Sequence, residues 1–339
     1  DRSSATRSRE AAERAMALDP GGAAGRVAMA DYLMLVENNS EAARDHIELA
    51  MSRAPNDAEV LRRASRIATD RQDEEAALAL LDRAQALDPR SASLAQSRLF
   101  TLVRHGRYAE AIRAADAARA LTPADIQSIQ YHAMAYLALG DVANARRIIS
   151  EALALVPPPA LVAQLAGFFE MSWFLEPEEQ QLLFRLSPAS FDHDRAWWGQ
   201  SLATAHWDAG DRSRSRAYAD SALAPTLAQV EDSPDGGQTN ALYGLMLAYL
   251  GRRDEALRAG QLGLSAAKAR GDIAEVGYSH IVVARIHLVL GMLDEAVAAL
   301  RQIEERPQHY SAAWMRLDPM FRPLRGHPGF EAMLKRMGG

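Results

Sequence analysis

The chain has 339 residues, of which 48% are apolar, and its 38 basic and 44 acidic residues give a net charge of −6. This slight excess of acid gives no overall attraction to nucleic acid or to an anionic membrane surface. The absence of cysteine excludes thiolate nucleophiles, cysteine-based zinc sites and disulfides. The longest uncharged run, 152–169, contains three consecutive prolines, which excludes it as a membrane-spanning helix.

Prolines recur at a nearly constant interval in the first half of the chain, and they are Pro20, Pro55, Pro89, Pro123 and Pro157. Successive members of this series are separated by about 34 residues, a period that indicates an array of repeats. Residues 1–20 are predicted to be the second helix of an incomplete N-terminal repeat, so we expect the chain to begin inside a longer array or a longer protein. We expect the apolar face of this helix to be covered by a missing helix, by another chain or by another part of the same complex. That face consists of Ala12, Ala15, Met16 and Leu18.

Glycine and alanine recur in step with the prolines. Gly106 and Gly140 each precede a repeat proline by half of one repeat, where a helix must end in the left-handed conformation that glycine adopts at low cost. Alanine five residues after such a glycine lets two helices approach closely, as in Gly106/Ala111, Gly140/Ala145, Gly251/Ala256 and Gly291/Ala296. The acidic residues that follow a glycine are predicted helix N-caps, and they are Asp141, Asp211 and Asp272.

Between these positions the apolar residues have helical spacing, and no useful length of chain alternates as a strand does. The period and the residue types together resemble the tetratricopeptide repeat, a helix–turn–helix unit of about 34 residues. The second-helix positions of that repeat match Ala77, Leu81, Ala84 and Pro89. The resemblance implies an all-α fold, a right-handed α-solenoid of about eight helix pairs with a C-terminal capping helix, and it places four regular units in 21–157.

The spacing loosens after the last of these prolines, and 158–195 is predicted to be a degenerate, aromatic-rich unit. Residues 196–306 are predicted to hold three longer repeat-like units, because successive helix-ending glycines there lie farther apart than one regular repeat. Residues 307–339 are the predicted C-terminal cap, in which Asp318 caps a short turn and a closing helix begins near Pro328.

The end of the chain carries a second resemblance. The run Leu317-Asp318-Pro319, followed by Phe321 and Pro328, is similar to the ends of repeat regions in bacterial membrane-bound serine/threonine kinases and class III adenylate cyclases. This resemblance implies an arm of a larger bacterial signalling protein, or an accessory subunit of a membrane-associated complex. The implied location is extracytoplasmic or membrane-tethered, with the cytoplasm as the alternative. No kinase or cyclase catalytic motif occurs in the sequence, so any enzyme domain is expected upstream of Asp1.

Residues that could perform chemistry are scattered, and no nucleotide-binding, metalloprotease or serine-hydrolase motif occurs. His280 and His287 share a helix face where the repeat places packing residues, which predicts structural histidines. The run FDHD at 191–194 has the elements of a weak metal site, but capping of a helix that begins near Arg195 is the preferred interpretation. We therefore predict no catalytic residue, no metal and no cofactor, and expect the chain not to be an enzyme.

The first helix of each unit lines the concave groove in the tetratricopeptide family, so the resemblance implies partner contacts there. Arg62 and Arg66 lie one helical turn apart and could together hold a carboxylate of a peptide. The alternative is a solvated face on which they pair with Glu59 and Asp70. The lysine and asparagine of the family's two-carboxylate clamp are absent, so a chaperone C-terminal peptide is not expected. The groove candidates are Tyr32, Arg62, Arg66, Gln96, Phe100, Arg104, Gln127, Gln130 and Met134.

Aromatic residues concentrate in 168–207, which holds Phe168, Phe169 and four of the five tryptophans. They could form the core of an irregular unit, or a partly exposed belt that anchors a partner. Trp197 and Trp198 are about 100° apart on a helix, and Trp207 returns to the face of Trp197. We therefore predict that Trp197 and Trp207 are exposed partner contacts and that Trp198 packs inside.

Together these features predict a non-catalytic protein–protein interaction scaffold. Its partner is a protein or peptide, and neither nucleic-acid binding nor direct insertion into a membrane is expected. Two other classes stay open. One is a regulatory sensor module that binds a peptide or a small ligand in the groove, and the other is an enzyme on a helical-repeat frame, which would need converging acids or a metal inside the curve.

Overall fold

Every regular element that the structure describes is helical. The computed structural model describes residues 2–37, 39–168, 171–271, 273–305 and 310–338. Within these ranges it contains nineteen α-helices and three short 3-10 helices, and no strand. None of the helices in these ranges combines the length and the apolar content needed to cross a bilayer. The predicted fold class, all-α with about eight sequential helix pairs and a C-terminal capping helix, is confirmed.

The chain divides into two compact units. Unit 1 comprises Asp1–Thr122 with Arg270–Ala274, and unit 2 comprises Pro123–Ala269 with Glu275–Gly339. The first boundary falls inside 21–157, so the predicted limits of the four regular repeats stay a prediction. The boundary predicted after residue 306 lies outside the described residues.

In unit 1, a leading helix is followed by three helix pairs. The helices are α1 (Arg2–Leu18), α2 (Ala24–Leu35), α3 (Ser40–Arg53), α4 (Ala58–Asp70), α5 (Glu74–Leu87), α6 (Ala92–Arg104) and α7 (Tyr108–Leu121). α1 crosses α2 so closely that a Cβ atom on Gly25 would lie 2.6 Å from the backbone nitrogen of Met16. Ala12 is buried, whereas Leu18 is 78% exposed. The predicted apolar face of α1 is therefore covered in part by α2.

The remaining elements lie wholly or mostly in unit 2. The α-helices are α8 (Ile126–Ala138), α9 (Val142–Ala152), α10 (Pro158–Gly167), α11 (Pro177–Leu183), α12 (Arg195–Asp208), α13 (Arg212–Asp232), α14 (Gly237–Tyr249), α15 (Arg253–Arg270), α16 (Ile273–Val289), α17 (Leu293–Arg301), α18 (Ala312–Leu317) and α19 (Pro328–Arg336). The 3-10 helices are Met171–Phe174, Pro188–Phe191 and Pro319–Leu324.

Helices end and begin where the sequence predicts. Gly140 follows α8 with φ of 81°, a left-handed conformation that would strain any residue with a Cβ atom. Asp141 then caps α9, accepting a 3.0 Å hydrogen bond from the amide of Asn144. Asp211 caps α13 in the same way, and the third predicted cap, Asp272, lies outside the described residues.

Alanine occupies the tightest helix contacts. The alanines predicted to lie between helices are completely buried, and they are Ala77, Ala111, Ala145, Ala256 and Ala296. Between α14 and α15 the closest contacts are made by glycine. A Cβ atom on Gly263 would lie 2.5 Å from the carbonyl oxygen of Gly237, and one on Gly244 would lie 2.8 Å from the amide nitrogen of Gly260. The backbones of these two helices are therefore in direct contact.

The alanine contacts can be tested by enlarging one of them. We expect Ala145→Leu to lower the free energy of unfolding by about 1–3 kcal/mol, because added methylenes in a filled contact force the helices apart. Ala143 lies exposed on the same helix, so Ala143→Leu should change stability by less than ~0.5 kcal/mol. Urea denaturation followed by circular dichroism measures both, and equal losses at the two positions would contradict the assigned contact.

The glycine contact between α14 and α15 can be tested by adding a single methyl group, which is a smaller change than the alanine-to-leucine substitution. Alanine favours a helix over glycine by ~1 kcal/mol, so Gly263→Ala would stabilise α15 if the position were open. We expect instead a loss of about 1–3 kcal/mol, since the new Cβ atom meets backbone that cannot rotate away. Gln261→Ala, at an exposed position of α15, is the control. A Gly263→Ala variant with an unchanged or higher melting temperature would show that α14 and α15 do not touch here.

Candidate partner-binding surfaces

Side chains from neighbouring first helices of unit 1 form a cluster of cations around one aromatic ring. The guanidinium carbon of Arg66 in α4 lies 4.4 Å from the ring centre of Phe100 in α6, and that of Arg104 lies 5.8 Å from the same centre. Both distances are within the range of cation–π attraction. Arg62 donates a 3.3 Å hydrogen bond to Ser97 Oγ of α6. We call Arg62, Arg66, Phe100 and Arg104 the arginine cluster.

The arginines of α4 also pair with carboxylates of their own helix. Arg62 donates two hydrogen bonds of 2.7 Å to Glu59, and Arg66 lies 2.9 Å from an oxygen of Asp70. Local pairing, one of the two alternatives that the sequence left open, is therefore present. The two arginines differ in access, because the side chain of Arg66 is 47% exposed and that of Arg62 is 17% exposed. Arg66 is thus the member of α4 that can reach a partner.

The other groove candidates that remain are Tyr32, Gln96 and Gln127. Tyr32 is half-buried in α2, where burial and a hydrogen bond with Glu37 raise the pKa of its phenol. Gln96 is half-buried in α6. Gln127 belongs to unit 2, is exposed, and donates a 3.3 Å hydrogen bond to Tyr131 Oη.

The prediction that Gln130 and Met134 face an open groove is wrong. Gln130 is 0% exposed and Met134 is 1% exposed. The amide of Gln130 donates a 2.7 Å hydrogen bond to the carbonyl oxygen of Phe168 and accepts a 2.8 Å hydrogen bond from Gln164. Both of its polar ends are therefore satisfied inside unit 2. Phe100 is likewise buried, at 9% exposed, beneath the guanidinium of Arg66.

The aromatic stretch does not divide into exposed and buried tryptophans as predicted. Trp197 is half-buried, with its ring centre 5.0 Å from Phe168 and 5.1 Å from Phe191. A Cβ atom on Gly167 would lie 1.9 Å from the indole nitrogen of Trp197, so the indole lies flush against the backbone of α10. Phe168 is the more accessible ring, at 47% exposed, and Phe169 lies outside the described residues.

Trp198 and Trp207 share the intermediate exposure of Trp197. Trp198 donates a 2.9 Å hydrogen bond from its indole nitrogen to the carbonyl oxygen of Leu186, and its ring centre lies 5.3 Å from that of Tyr218. It therefore packs within unit 2 but is half-buried rather than fully inside. The ring of Trp207 is covered by the guanidinium of Arg212, whose central carbon lies 3.5 Å from the ring centre. The predicted exposed pair, Trp197 and Trp207, is therefore largely engaged in contacts within unit 2.

Sequence reasoning missed two contacts in unit 2 that involve the C-terminal residues. Trp314 of α18 is completely buried, and its ring centre lies 5.8 Å from that of Trp173. Ser311 donates a 2.6 Å hydrogen bond to the carbonyl oxygen of Ala138 at the end of α8. No local pattern indicates either contact, because the partners are far apart in the sequence.

The residues singled out for possible chemistry have structural roles. Asp194 caps α12 by accepting a 2.9 Å hydrogen bond from the amide of Trp197, as predicted. Across the described ranges, no three His, Asp or Glu side chains converge as metal ligands. His280 is buried and His287 is half-buried, in agreement with their prediction as structural histidines. Burial lowers the pKa of His280 to about 4.

The buried histidines predict how stability changes with pH. The ordinary histidine pKa is about 6.5, so below this pH the unfolded chain binds a proton that folded His280 does not bind. The free energy of unfolding should therefore fall as the pH is lowered from 7 to 5. His206 and His287, whose pKa values burial also lowers, act in the same direction.

Urea denaturation at the two pH values measures this loss. The variant His280→Gln, which cannot titrate, should lose less stability between pH 7 and pH 5 than the unchanged chain. A chain that became more stable on acidification, or a variant with an undiminished loss, would contradict the assignment of His280 as a buried neutral group.

No family model matches the chain, and no curated protein matches it. The chain is similar to a chain of the crystal structure of the APC/C hetero-tetramer Cut9-Hcn1, with a TM-score of 0.49 and 15% identity over 97% of this chain and 58% of that chain. It is also similar to a tetratricopeptide repeat protein from Parabacteroides merdae ATCC 43184, with a TM-score of 0.36 and 14% identity over 83% of this chain and 99% of that one. The chain thus spans 58% of the length of the Cut9-Hcn1 chain that it matches.

Proposed function

We propose that the chain is a non-catalytic protein–protein interaction scaffold, and that the arginine cluster of unit 1 binds an acidic segment of a partner protein. The observation that carries this proposal is the position of the Arg66 guanidinium over the Phe100 ring, 4.4 Å from the ring centre. The guanidinium is planar by its own bonding, and its N–H fork matches the two oxygens of a carboxylate. Contact with the ring limits the directions in which that fork can point. The cation is therefore oriented for binding before the partner arrives.

The local ion pair of Arg66 is compatible with a second carboxylate. The side chain of Asp70 is only 11% exposed, so this pair is partly buried and is expected to persist when a partner binds. Arginine has five N–H donors in a planar fork, and one guanidinium can therefore pair with two carboxylates. Because the side chain is 47% exposed, an incoming carboxylate can approach the guanidinium from solvent.

The setting that we propose is an arm of a larger bacterial signalling protein, or an accessory subunit of a membrane-associated complex. Its support is the resemblance of the C-terminal run around Asp318 and Pro319 to the ends of kinase and cyclase repeat regions. In such a setting the repeats would hold a partner near an enzyme domain and would need no catalytic group of their own.

A binding assay with peptides of different charge tests the proposal. Fluorescein-labelled peptide pools of one length would be rich in Asp and Glu, uncharged, or rich in Lys. We expect only the acidic pool to bind, and we expect Arg66→Gln to weaken that binding about tenfold or more, since a charge-assisted hydrogen bond contributes about 1.5–3 kcal/mol. Arg66→Lys, which keeps the charge but not the planar fork, should lie between the two.

Arg90 is exposed on the loop before α6, and Arg90→Gln is the matched control for loss of one positive charge in unit 1. It should bind the acidic pool as the unchanged chain does, and melting temperatures should confirm that all variants fold. Equal binding of the acidic and uncharged pools, or equal weakening by Arg66→Gln and Arg90→Gln, would show that the arginine cluster is not the site.

A further inference from the structure

A basic surface lies on the C-terminal residues of unit 2, although the net charge of the chain is negative. The whole chain has 38 basic and 44 acidic residues, whereas 312–338 contains five basic residues and two acidic ones. Three of these five basic residues are close together in the sequence and exposed to solvent. They are Arg316, Arg322 and Arg325, which we call the cap arginines.

Two hydrogen bonds bring the cap arginines to one place. The amide of Arg325 donates a 3.2 Å hydrogen bond to the carbonyl oxygen of Arg322, at the end of the 3-10 helix Pro319–Leu324. The guanidinium of Arg325 donates a 2.7 Å hydrogen bond to the carbonyl oxygen of Arg316. The side chain of Arg325 therefore crosses the backbone from which Arg316 extends, one turn away from Arg322.

The backbone that carries these side chains is held in place by the core. Met320, Phe321 and Leu324, which alternate with the cap arginines, are buried. Pro319 and Pro323 fix the φ angle at two positions of the same turn. The core of unit 2 therefore sets the positions of the cap arginines before a partner arrives, and this lowers the entropy that binding costs.

The cap arginines are not neutralised by carboxylates of the chain. Within the described ranges, none of the three forms an ion pair. The two acidic residues of this segment have other contacts. Asp318 is buried and accepts a 2.8 Å hydrogen bond from the amide of Met320, and Glu331 accepts a 3.1 Å hydrogen bond from the amide of Gly326. Neighbouring cations repel one another, so an anion that contacts all three relieves this repulsion.

We propose that the cap arginines bind a phosphorylated segment of a protein partner, with the phosphoryl group held between them. A phosphoryl group on a side chain carries about two negative charges at pH 7 and three acceptor oxygens, whereas a carboxylate carries one charge and two oxygens. Guanidinium groups pair with phosphate oxygens through two parallel hydrogen bonds, so one phosphoryl group has acceptors for more than one of these side chains. The site belongs to unit 2, and the proposal is independent of the arginine cluster in unit 1.

A binding assay with peptides that differ only at their central residue tests the proposal. Fluorescein-labelled pools with random flanking residues would carry phosphoserine, glutamate or serine at the centre, and fluorescence anisotropy follows their binding to the full chain. We expect the phosphoserine pool to bind, the glutamate pool to bind about fivefold or more weakly because it offers less charge, and the serine pool not to bind. Inorganic phosphate should compete with the phosphoserine pool.

The double variant Arg316→Gln with Arg322→Gln removes two charges of the site. Neither side chain forms a hydrogen bond or an ion pair in the described part of the chain, so the variant should keep the melting temperature of the unchanged chain. We expect it to bind the phosphoserine pool about tenfold or more weakly, because charge-assisted hydrogen bonds are lost. The control is the double variant Arg216→Gln with Arg258→Gln, at exposed positions of α13 and α15, which should bind as the unchanged chain does.

Two further measurements separate this site from other sites for anions. Arg66→Gln should leave binding of the phosphoserine pool unchanged, and loss of binding in that variant would overturn the proposal, since the ligand would then occupy the arginine cluster. Equal binding of the phosphoserine pool and either other pool, or equal weakening in the two double variants, would also overturn it. Vesicles of equal parts phosphatidylcholine and phosphatidylserine test a membrane surface as the partner. Retention on these vesicles without binding of the phosphoserine pool would assign the cap arginines to a membrane and overturn the proposal.

Discussion

Close contact between paired helices at very small side chains is the constraint from which the other features follow. Ala77, Ala145 and Ala256 are completely buried, and each occupies a place where a longer side chain would separate two helices. Burial of alanine removes little apolar area, and the hydrophobic contribution is about 25 cal/mol per Å². The stability of a repeat array is therefore a sum of many modest contributions from each helix pair and from each pair's contact with its neighbours.

Around α12, aromatic rings make several of the contacts. His206 of α12 lies between Phe184 and Tyr218, with ring centres 4.0 Å and 5.3 Å away and all three rings nearly parallel. The same stack excludes water from the imidazole, and so burial lowers its pKa. Rings that pack against each other in this way are not available to anchor a partner, which is why the concentration of aromatic residues in 168–207 did not predict an open binding surface.

The helices could be predicted from the sequence because the signals that limit them are local. α8 is followed by a glycine in the left-handed conformation, and α9 is preceded by an aspartate cap. Both residues act on backbone a few residues away, and both can be recognised from the sequence. Exposure could not be predicted in this way. Whether Gln130 meets solvent depends on Phe168 and Gln164, and the place of Trp314 depends on Trp173. Such partners belong to different helices, and the repeat period does not specify the side chains that fill the space between them.

One repeat position shows that equivalent places in the repeat do not have equal exposure to solvent. Tyr32, Arg66, Phe100 and Met134 follow one another at the interval of one repeat, so the repeat assigns them equivalent places on successive first helices. Their environments nevertheless differ, from an Arg66 side chain that is 47% exposed to Phe100 at 9% and Met134 at 1%. The residue types change in the same order, from a cation through an aromatic ring to a thioether.

A charged side chain is rarely buried without a partner, whereas methionine suits irregular gaps in a core. At this position, the residue type therefore predicts exposure to solvent better than the place in the repeat does. On this criterion Arg66 is the exposed member of this repeat position. The equivalent residues of α8, Gln130 and Met134, are buried inside unit 2.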